Sequence, residues 1–168
     1  MLRPWQDADA GVLVEAYRDP AIQHWHRRRL DSPAEALALI QAWRTSWQDE
    51  TGGCWAVCPS PAGQVAGRLS LRVRLEHGQG EVGYWVLPSG RGHGTAPRAV
   101  TGLTRWLLDQ VGLRRVELGH SVVNTASCRV AEKSGYRLEG VLRGALLHED
   151  GWHDMHLHAA TANDQGPE

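Results

Sequence analysis

A glycine-rich turn between an apolar and an amphipathic segment constrains this chain more than any other feature. Residues 81–87 are rich in β-branched and aromatic side chains, which predicts a buried strand. Glycines follow at positions 90, 92 and 94, and glycine lets backbone amides point into one concavity without a steric cost. Between Ala96 and Val111 the apolar residues recur at steps of three and four, which predicts a helix. Converging amides and a helix N-terminus both favour an anion, so the segment predicts a pyrophosphate-binding loop.

Two well-known phosphate-loop designs do not match this turn. A Walker loop ends in Gly-Lys followed by Ser or Thr, and no such triplet occurs here. A dinucleotide fingerprint needs a third glycine three residues after its second one, and it lies in a βαβ unit. The chain lacks both features around Gly94. A third kind of phosphate-binding loop and a plain glycine-rich surface turn therefore stay open.

Composition and charge limit the classes of partner. The chain has 168 residues, 42% of them hydrophobic, and a net charge of −1, which fits one globular domain without a nucleic-acid partner. No apolar run approaches the roughly 20 residues that a membrane span needs, and Met1–Trp5 lacks a signal-peptide core. Cys54 and Cys58 lie too far apart along a predicted strand to form a disulfide. We therefore expect a reduced, cytoplasmic protein without a membrane partner.

Hydrophobic periodicity predicts a single α+β domain followed by a flexible tail at residues 162–168. Strands are predicted near residues 2–5, 55–58, 65–75, 81–87, 114–118, 136–147 and 152–160. Helices are predicted near residues 8–18, 33–47, 96–111 and 125–134, with Trp47, Trp106 and Val111 on buried faces. Ile22–Arg29 is predicted to be a basic loop. In the strand at 65–75, apolar residues alternate with Arg68, Ser70 and arginines, which predicts one buried and one polar face.

Three motifs in this order resemble one enzyme family. Arg91–Ala96 resembles the acyl-CoA pyrophosphate loop of the GNAT N-acetyltransferases, Q/R-x-x-G-x-G/A. Asn124–Gly140 resembles the N-x-x-S…EK-x-G-F/Y…EG segment of the RimJ/RimL branch, and Leu2–Ala10 and Glu81–Trp85 look like the same branch. That branch acetylates N-termini of ribosomal proteins and has relatives that act on small amines. The resemblance implies a GNAT fold over residues 1–161, with helices flanking a mixed, mostly antiparallel sheet.

The resemblance also implies how acetyl-CoA binds. Its pyrophosphate would contact the loop, and its pantetheine arm would contact backbone amides of the preceding strand and one asparagine. The implied cofactor-binding residues are Trp85, Val86, Leu87, Arg91, Gly92, His93, Gly94, Thr95, Ala96, Asn124 and Ser127. Asn124 is also a suitable cap for the helix that follows it.

Two residues are implied as catalytic groups. Many members of the family protonate the departing thiolate with a tyrosine, but Ala131 occupies that position, so Ser127 is the implied acid, as in RimL-like proteins. A local capping role for its hydroxyl is the alternative. Glu81 could accept the amine proton, directly or through water, or could be a solvated strand-end carboxylate. The glutamate proposed as a base in some RimL-like proteins corresponds to Leu146, so the branch mechanism does not transfer in full.

The remaining expectations concern the acceptor and a metal. Trp25, Tyr84 and His120 are predicted to face the acceptor. Cys128 is predicted to be a small core residue, and His156 and His158 to be surface residues that share a strand face with Asp154, so no metal is expected.

The expected activity is acetyl transfer from acetyl-CoA to the α-amino group of a protein or peptide, by direct attack in a ternary complex. A small-molecule amine such as an antibiotic or polyamine, and a non-catalytic acyl-CoA-binding module, are the alternatives. A homodimer is compatible with the sequence.

Overall fold

Seven strands form one sheet in the computed structural model, which describes residues 1–60 and 63–164. The strands are β1 (Leu2–Pro4), β2 (Gly52–Val57), β3 (Gly67–Arg74), β4 (Gln79–Val86), β5 (Arg115–Ser121), β6 (Arg137–His148) and β7 (Gly151–Thr161). Their order in the sheet is β1-β2-β3-β4-β5-β7-β6. The described neighbours are antiparallel except β4 and β5, which run parallel. The predicted mixed, mostly antiparallel sheet is confirmed.

Helices cover both faces of the sheet. The helices are α1 (Ala10–Ala16), α2 (Pro20–Trp25), α3 (Pro33–Gln48), α4 (Thr95–Asp109) and α5 (Thr125–Lys133), with short 3-10 turns at Asp7–Asp9, Leu75–His77 and Pro88–Gly90. One core packs α1, α2 and α3 on one face, and a second core packs α4 and α5 on the other. In the described part of the chain, no helix has the length and apolar character needed to cross a membrane.

Because helices cover both faces of the sheet, the predicted polar face of β3 is enclosed at its start, around Arg68, and open to solvent only toward its end, at Arg72 and Arg74. Leu69 and Leu71 point into the core under α4, as expected. Arg68, on the opposite face, is also enclosed, and its guanidinium donates to the Tyr17 hydroxyl (3.1 Å) and the Ser70 hydroxyl (2.7 Å). Strand alternation told us which residues share a face, but it did not reveal the helices that cover that face.

The prediction of a loop at residues 22–29 was wrong for residues 22–25, which belong to helix α2. Helix α1 ends at Ala16, earlier than expected, and α2 begins at Pro20. The Asp19 carboxylate starts this short helix by accepting hydrogen bonds from the amides of Ala21 (2.9 Å) and Ile22 (3.1 Å). Asp-Pro therefore acts as a helix start here, with proline in the first turn, and not as a stop.

Three apolar side chains expected in the core lie at the surface. Trp47 is 52% exposed, and Trp106 and Val111 are also exposed. The rings of Trp47 and Trp106 lie 6.3 Å apart, so α3 and α4 meet around an edge of the sheet through a partly solvated aromatic contact.

Residues 162–164, at the start of the predicted tail, include one side chain that contacts β6 and β7. The Asp164 carboxylate accepts hydrogen bonds from the Thr161 amide (2.9 Å) and hydroxyl (2.7 Å) and pairs with Arg137 (3.2 Å). Residues 165–168 of the predicted tail lie outside the described residues.

Candidate active site

A gap opens between β4 and β5. These strands pair only over Gln79–Glu81 and Arg115–Glu117 and then separate, although β4 continues to Val86 and β5 to Ser121. The edge of β4 that faces the gap therefore carries backbone groups without a strand partner.

Backbone alternation identifies which amides face this gap. The Leu87 amide donates to the Ala66 carbonyl (2.8 Å), so it points toward β3. Since successive amides of a strand point to opposite sides, the Trp85 amide also points to β3, whereas the Tyr84 and Val86 amides point into the gap. Backbone amides of Trp85, Val86 and Leu87 were predicted to bind acetyl-CoA. Of these three, only the Val86 amide points into the gap.

The predicted loop joins β4 to α4 in a left-handed conformation that glycine permits. Gly92 (φ 78°) and Gly94 (φ 68°) have positive φ, and α4 begins at Thr95. The Thr95 hydroxyl donates to the Gly90 carbonyl (2.9 Å) and closes the loop. Within the described residues, the amides of Gly92, His93, Gly94 and Ala96 have no backbone acceptor, so the loop presents unpaired donors at a helix N-terminus.

Arg91 is oriented by two contacts within the protein. Its Nε donates to the Val86 carbonyl (3.0 Å), and its Nη2 donates to Asp19 Oδ1 (3.1 Å). Burial acts to raise the pKa of Asp19, but the bonds from Arg91 and the amides at the start of α2 outweigh it and lower this pKa. Arg91 thus joins α2 to the end of β4, and its positive charge is shared with a carboxylate.

A hydrogen bond connects β4 with the N-terminus of α5. The Tyr84 hydroxyl donates to Ser127 Oγ (2.9 Å), and burial raises the pKa of Tyr84 to about 12, against a smaller opposing effect of this bond. Asn124 Oδ1 accepts the Ser127 amide (3.0 Å), so Asn124 does cap α5, and its NH₂ group is not used in that bond. The Ser127 hydroxyl therefore accepts from Tyr84 and keeps its own proton to donate.

Glu81 lies at the closed end of the gap, where β4 and β5 still pair. Its half-exposed carboxylate is 3.8 Å from Arg72 on the neighbouring strand. The side chain therefore faces the β3 side, and a water would be needed to connect it with a group in the gap.

Aromatic and histidine side chains from α2 and from the β6–β7 hairpin form one wall near β4. The Trp25 ring contacts the rings of His148 (5.5 Å) and His153 (6.2 Å) edge-on. Burial, together with the charges of Arg68 and His148, lowers the pKa of His26 to about 4, while the Tyr84 backbone acts in the opposite direction. His26 is therefore a neutral imidazole beside β4 at physiological pH.

One chain of hydrogen bonds on this wall was not predicted. Ser121 Oγ is 2.7 Å from His153 Nδ1, and His153 Nε2 is 2.9 Å from Asp150 Oδ1. Ser121 is fully buried and both ring nitrogens are occupied, so the arrangement orients the hairpin and does not present a nucleophile. No local sequence signal indicates it, because the three residues come from β5, a turn and β7.

His120 was expected on the acceptor side, but its ring faces other histidines. It is buried, its Nδ1 is 2.8 Å from the Ser121 carbonyl, and its Nε2 is 3.1 Å from His158 Nε2. Two related expectations were wrong: His158 is 1% exposed and not a surface residue, and Cys128 is half-buried and not in the core.

Comparison with known proteins gives the family. A family model described as an acetyltransferase (GNAT) domain matches residues 1–137. The ribosomal-protein-serine acetyltransferase of Escherichia coli (strain K12) is 33% identical over 103 residues, which are 61% of this chain and 58% of that relative.

Two solved structures share the fold at low sequence identity. RimJ of Mycobacterium smegmatis, in complex with CoA-disulfide, has a TM-score of 0.89 at 22% identity and covers 99% of this chain and 84% of its own. RimL, a ribosomal L7/L12 α-N-protein acetyltransferase in complex with coenzyme A, has a TM-score of 0.88 at 20% identity, with 98% and 94% covered. The GNAT model thus matches most of a chain that has the β4–β5 gap, the loop with free amides and Ser127 in the first turn of α5. The chain belongs to the GNAT family of acetyl-CoA-dependent N-acetyltransferases.

Proposed function

We propose that this enzyme acetylates the α-amino group of a protein or peptide by direct attack on acetyl-CoA in a ternary complex. The observation that carries the chemistry is the gap after Glu81, with the Tyr84–Ser127 hydrogen bond reaching from β4 to α5. The similarity to a ribosomal-protein-serine acetyltransferase supports the choice of acceptor. We treat residues 1–161 as one acetyltransferase domain.

The backbone amides without an acceptor in the glycine-rich loop are the proposed contacts for the pyrophosphate of acetyl-CoA. The amides of Gly92, His93, Gly94 and Ala96 would bind the pyrophosphate, with Arg91 and Thr95 holding the loop in shape. A cavity of about 520 Å³ adjoins this loop, and His93 and Arg98 line it beside the first residues of the chain, which suits the nucleotide part.

The pantetheine arm would pair with the exposed edge of β4. The Val86 amide and the Asn124 NH₂ group are the donors available to it, and Leu87 would contribute side-chain contact. The Trp85 ring is buried against Trp5 and Tyr17, so the contact predicted for Trp85 is not part of this proposal. A donor fixed in advance at the thioester carbonyl favours attack, because it stabilises the charge that develops on that oxygen.

Ser127 is the proposed proton donor to the departing thiolate. Its hydroxyl lies in the first turn of α5, where the helix dipole favours negative charge, and Tyr84 occupies its acceptor side. Glu81 is the proposed acceptor of the amine proton, through water. A protein α-amino group has a pKa near 8, so a weak base at that position is sufficient.

The acceptor would enter beside Trp25 and the β6–β7 hairpin. A pocket of about 590 Å³ there is lined by Arg27, Arg29 and residues 147–151, and Arg29 pairs with Glu149 (3.3 Å). Glu149 and Asp150 line the same pocket, so Arg27, which forms no ion pair among the described residues, is the cation that would contact an acidic residue close to the N-terminus of the acceptor.

Three further proposals concern the setting of the enzyme. The three free cysteines suit the cytoplasm, and the net charge of −1 gives no reason to invoke nucleic acid or an anionic membrane. Strand β6 lies at the edge of the sheet with Leu138, Val141, Leu142 and Leu146 exposed, which supports a homodimer through this edge.

A thiol-release assay with acetyl-CoA tests the proposal. The first acceptor is a lysine-free peptide with a free α-amine and an acidic second residue, and the second is the same peptide blocked at its N-terminus. Polyamines and aminoglycosides form the third group. Turnover with the first acceptor alone is the expected result. Turnover with small amines alone would favour a small-molecule amine as the acceptor. Tight acetyl-CoA binding without any turnover would favour a binding module.

A further inference from the structure

Four potential metal ligands converge beside α5, outside the contacts assigned to acetyl transfer. They are His120 on β5, His156 and His158 on β7, and Cys128 on α5. One ligand atom from each lies within 4.8 Å of the ligand atoms of all the others.

The fold brings these residues together from three separate segments. His120 lies directly opposite His156 in the antiparallel β5–β7 pair, and His158 is two residues further along the same face. The two rings of His120 and His158 stack with centroids 5.0 Å apart. Cys128 is next to Ser127 on α5 but points about 100° away from it around the helix, toward these rings.

The hydrogen bonds leave ligand lone pairs available. His120 Nδ1 donates to the Ser121 carbonyl, so its Nε2 carries no proton and accepts from His158 Nε2 (3.1 Å). Metal binding at His158 Nε2 would move that proton to Nδ1 of the same ring. A backbone acceptor on the outer nitrogen is the usual support for a metal-binding histidine. Two buried ring nitrogens of this cluster, the Nδ1 atoms of His156 and His158, are left without a hydrogen-bond partner among the described residues.

Cys128 can supply a thiolate. Its thiol donates to Glu132 Oε1 (3.6 Å), and burial, followed by the Glu132 charge, raises its pKa in the absence of a cation. Metal binding removes this thiol proton to solvent and replaces it with a sulfur–metal bond, as in other cysteine sites.

We propose that His120, Cys128, His156 and His158 bind one Zn²⁺ ion in a tetrahedral site. Three imidazole nitrogens and one thiolate are a ligand set that Zn²⁺ accepts. Bond lengths of about 2.0–2.1 Å to nitrogen and 2.3 Å to sulfur require ligand atoms roughly 3.3–3.7 Å apart. The observed cluster, with its shortest ligand contact at 3.1 Å, needs only small side-chain shifts to meet this requirement.

Strand alternation did not predict this site because it placed His156 and His158 beside Asp154, which is not part of the cluster. Asp154 Oδ1 instead accepts the Gly144 amide (2.7 Å). The site would tie the N-terminal half of α5 to β5 and β7, next to the proposed acid Ser127. The inference does not depend on which amine is acetylated.

Cobalt titration of the metal-free, tag-free protein tests the site. Co²⁺ should bind with one-to-one stoichiometry, and the spectrum should show thiolate-to-cobalt charge transfer together with the intense visible bands of a tetrahedral complex. Zn²⁺ should displace it. The variant Cys128→Ser should lose the charge-transfer band, and His156→Ala should bind Co²⁺ at least tenfold more weakly. His77→Ala is the matched control, because His77 is an exposed histidine on a distant turn, and it should behave as the wild type.

Thiol labelling gives a second readout that does not need a coloured metal. Cys54 and Cys58 are buried, so Cys128 is the cysteine accessible to a thiol reagent in the folded protein. One equivalent of Zn²⁺ should slow its labelling at least tenfold in the wild type and in His77→Ala. Octahedral spectra, or unchanged labelling with Zn²⁺ present, would overturn the proposal.

Discussion

Replacing Tyr84 with phenylalanine tests the proposed acid directly. The Tyr84 hydroxyl donates to Ser127 Oγ across 2.9 Å, and its pKa of about 12 keeps the phenol protonated throughout a neutral assay. Phenylalanine retains the ring but removes the donor. If Ser127 protonates the thiolate, the loss should appear in kcat, with little change in the affinity for acetyl-CoA.

The size of the effect follows from the kind of bond that is lost. A neutral hydrogen bond contributes about 0.5–1.5 kcal/mol, which corresponds to a fall in kcat of roughly 2- to 12-fold. Removal of the acid itself in Ser127→Ala should cost more, on the order of 10²-fold. Because Tyr84 acts through Ser127, the double variant should be no slower than Ser127→Ala alone.

Single-turnover and steady-state thiol release at saturating peptide would measure these rates. Tyr136→Phe is the matched control, since the Tyr136 hydroxyl lies 2.6 Å from Thr104 Oγ1 in the second core. This control should lower the free energy of unfolding and leave kcat unchanged. If Tyr84→Phe slows the Ser127→Ala enzyme by the same factor as the wild type, the phenol acts independently of Ser127 and the relay is refuted.

Three other perturbations address the loop, the base and the N-terminal region. Gly94→Val should weaken acetyl-CoA binding at least about tenfold, because a side chain would occupy a left-handed position among the free amides. Equal calorimetric affinity would contradict the loop assignment. Gly11→Ala, in open space on α1, is the control. Glu81→Gln should lower kcat/KM below the amine pKa, near pH 8, and approach the wild type above it; a pH-independent ratio of one would remove Glu81 from the mechanism. Asp9→Asn should lower the free energy of unfolding in urea by about 1.5–3 kcal/mol at pH 7, because Arg3 (2.7 Å) loses its charged partner. Burial acts to raise the Asp9 pKa, but Arg3 and the Gln6 amide lower it overall, so this stabilisation is complete above the unfolded pKa of about 3.9 and is lost as the pH falls through the lower folded value. A difference between Asp9→Asn and wild type that persists in strong acid would contradict this assignment.

Local patterns predicted the part of the site that is contiguous in sequence. The strand, the glycine turn and α4 follow one another, and the positive φ of Gly92 and Gly94 is a backbone requirement that glycine itself reveals. The Asn124 cap could be predicted for the same reason, since its partner amide is three residues away. In both cases the interaction is encoded within one turn of chain.

Contacts between distant segments could not be predicted in this way. The alternation in β7 placed His156 and His158 on one face, but it did not show that β7 docks between β5 and β6 with that face under α5. The same limit applies to Tyr84, which was predicted to face the acceptor: its sequence position gave no sign that its hydroxyl donates to Ser127. Periodicity describes one element, whereas burial and partners depend on which element packs against it.

The divergence of β4 and β5 makes the sheet two antiparallel ribbons, β1–β4 and β5–β7–β6, joined along a short seam at Gln79–Glu81. A pantetheine arm that pairs with the Val86 amide would act as a surrogate strand and extend that seam. Acetyl-CoA would then be a part of the architecture as well as a reactant, and each turnover would complete and reopen the sheet. Amide hydrogen exchange along the inner edge of β4 should consequently slow when the acyl donor binds, and the free energy of unfolding of both ribbons should rise with the logarithm of its concentration.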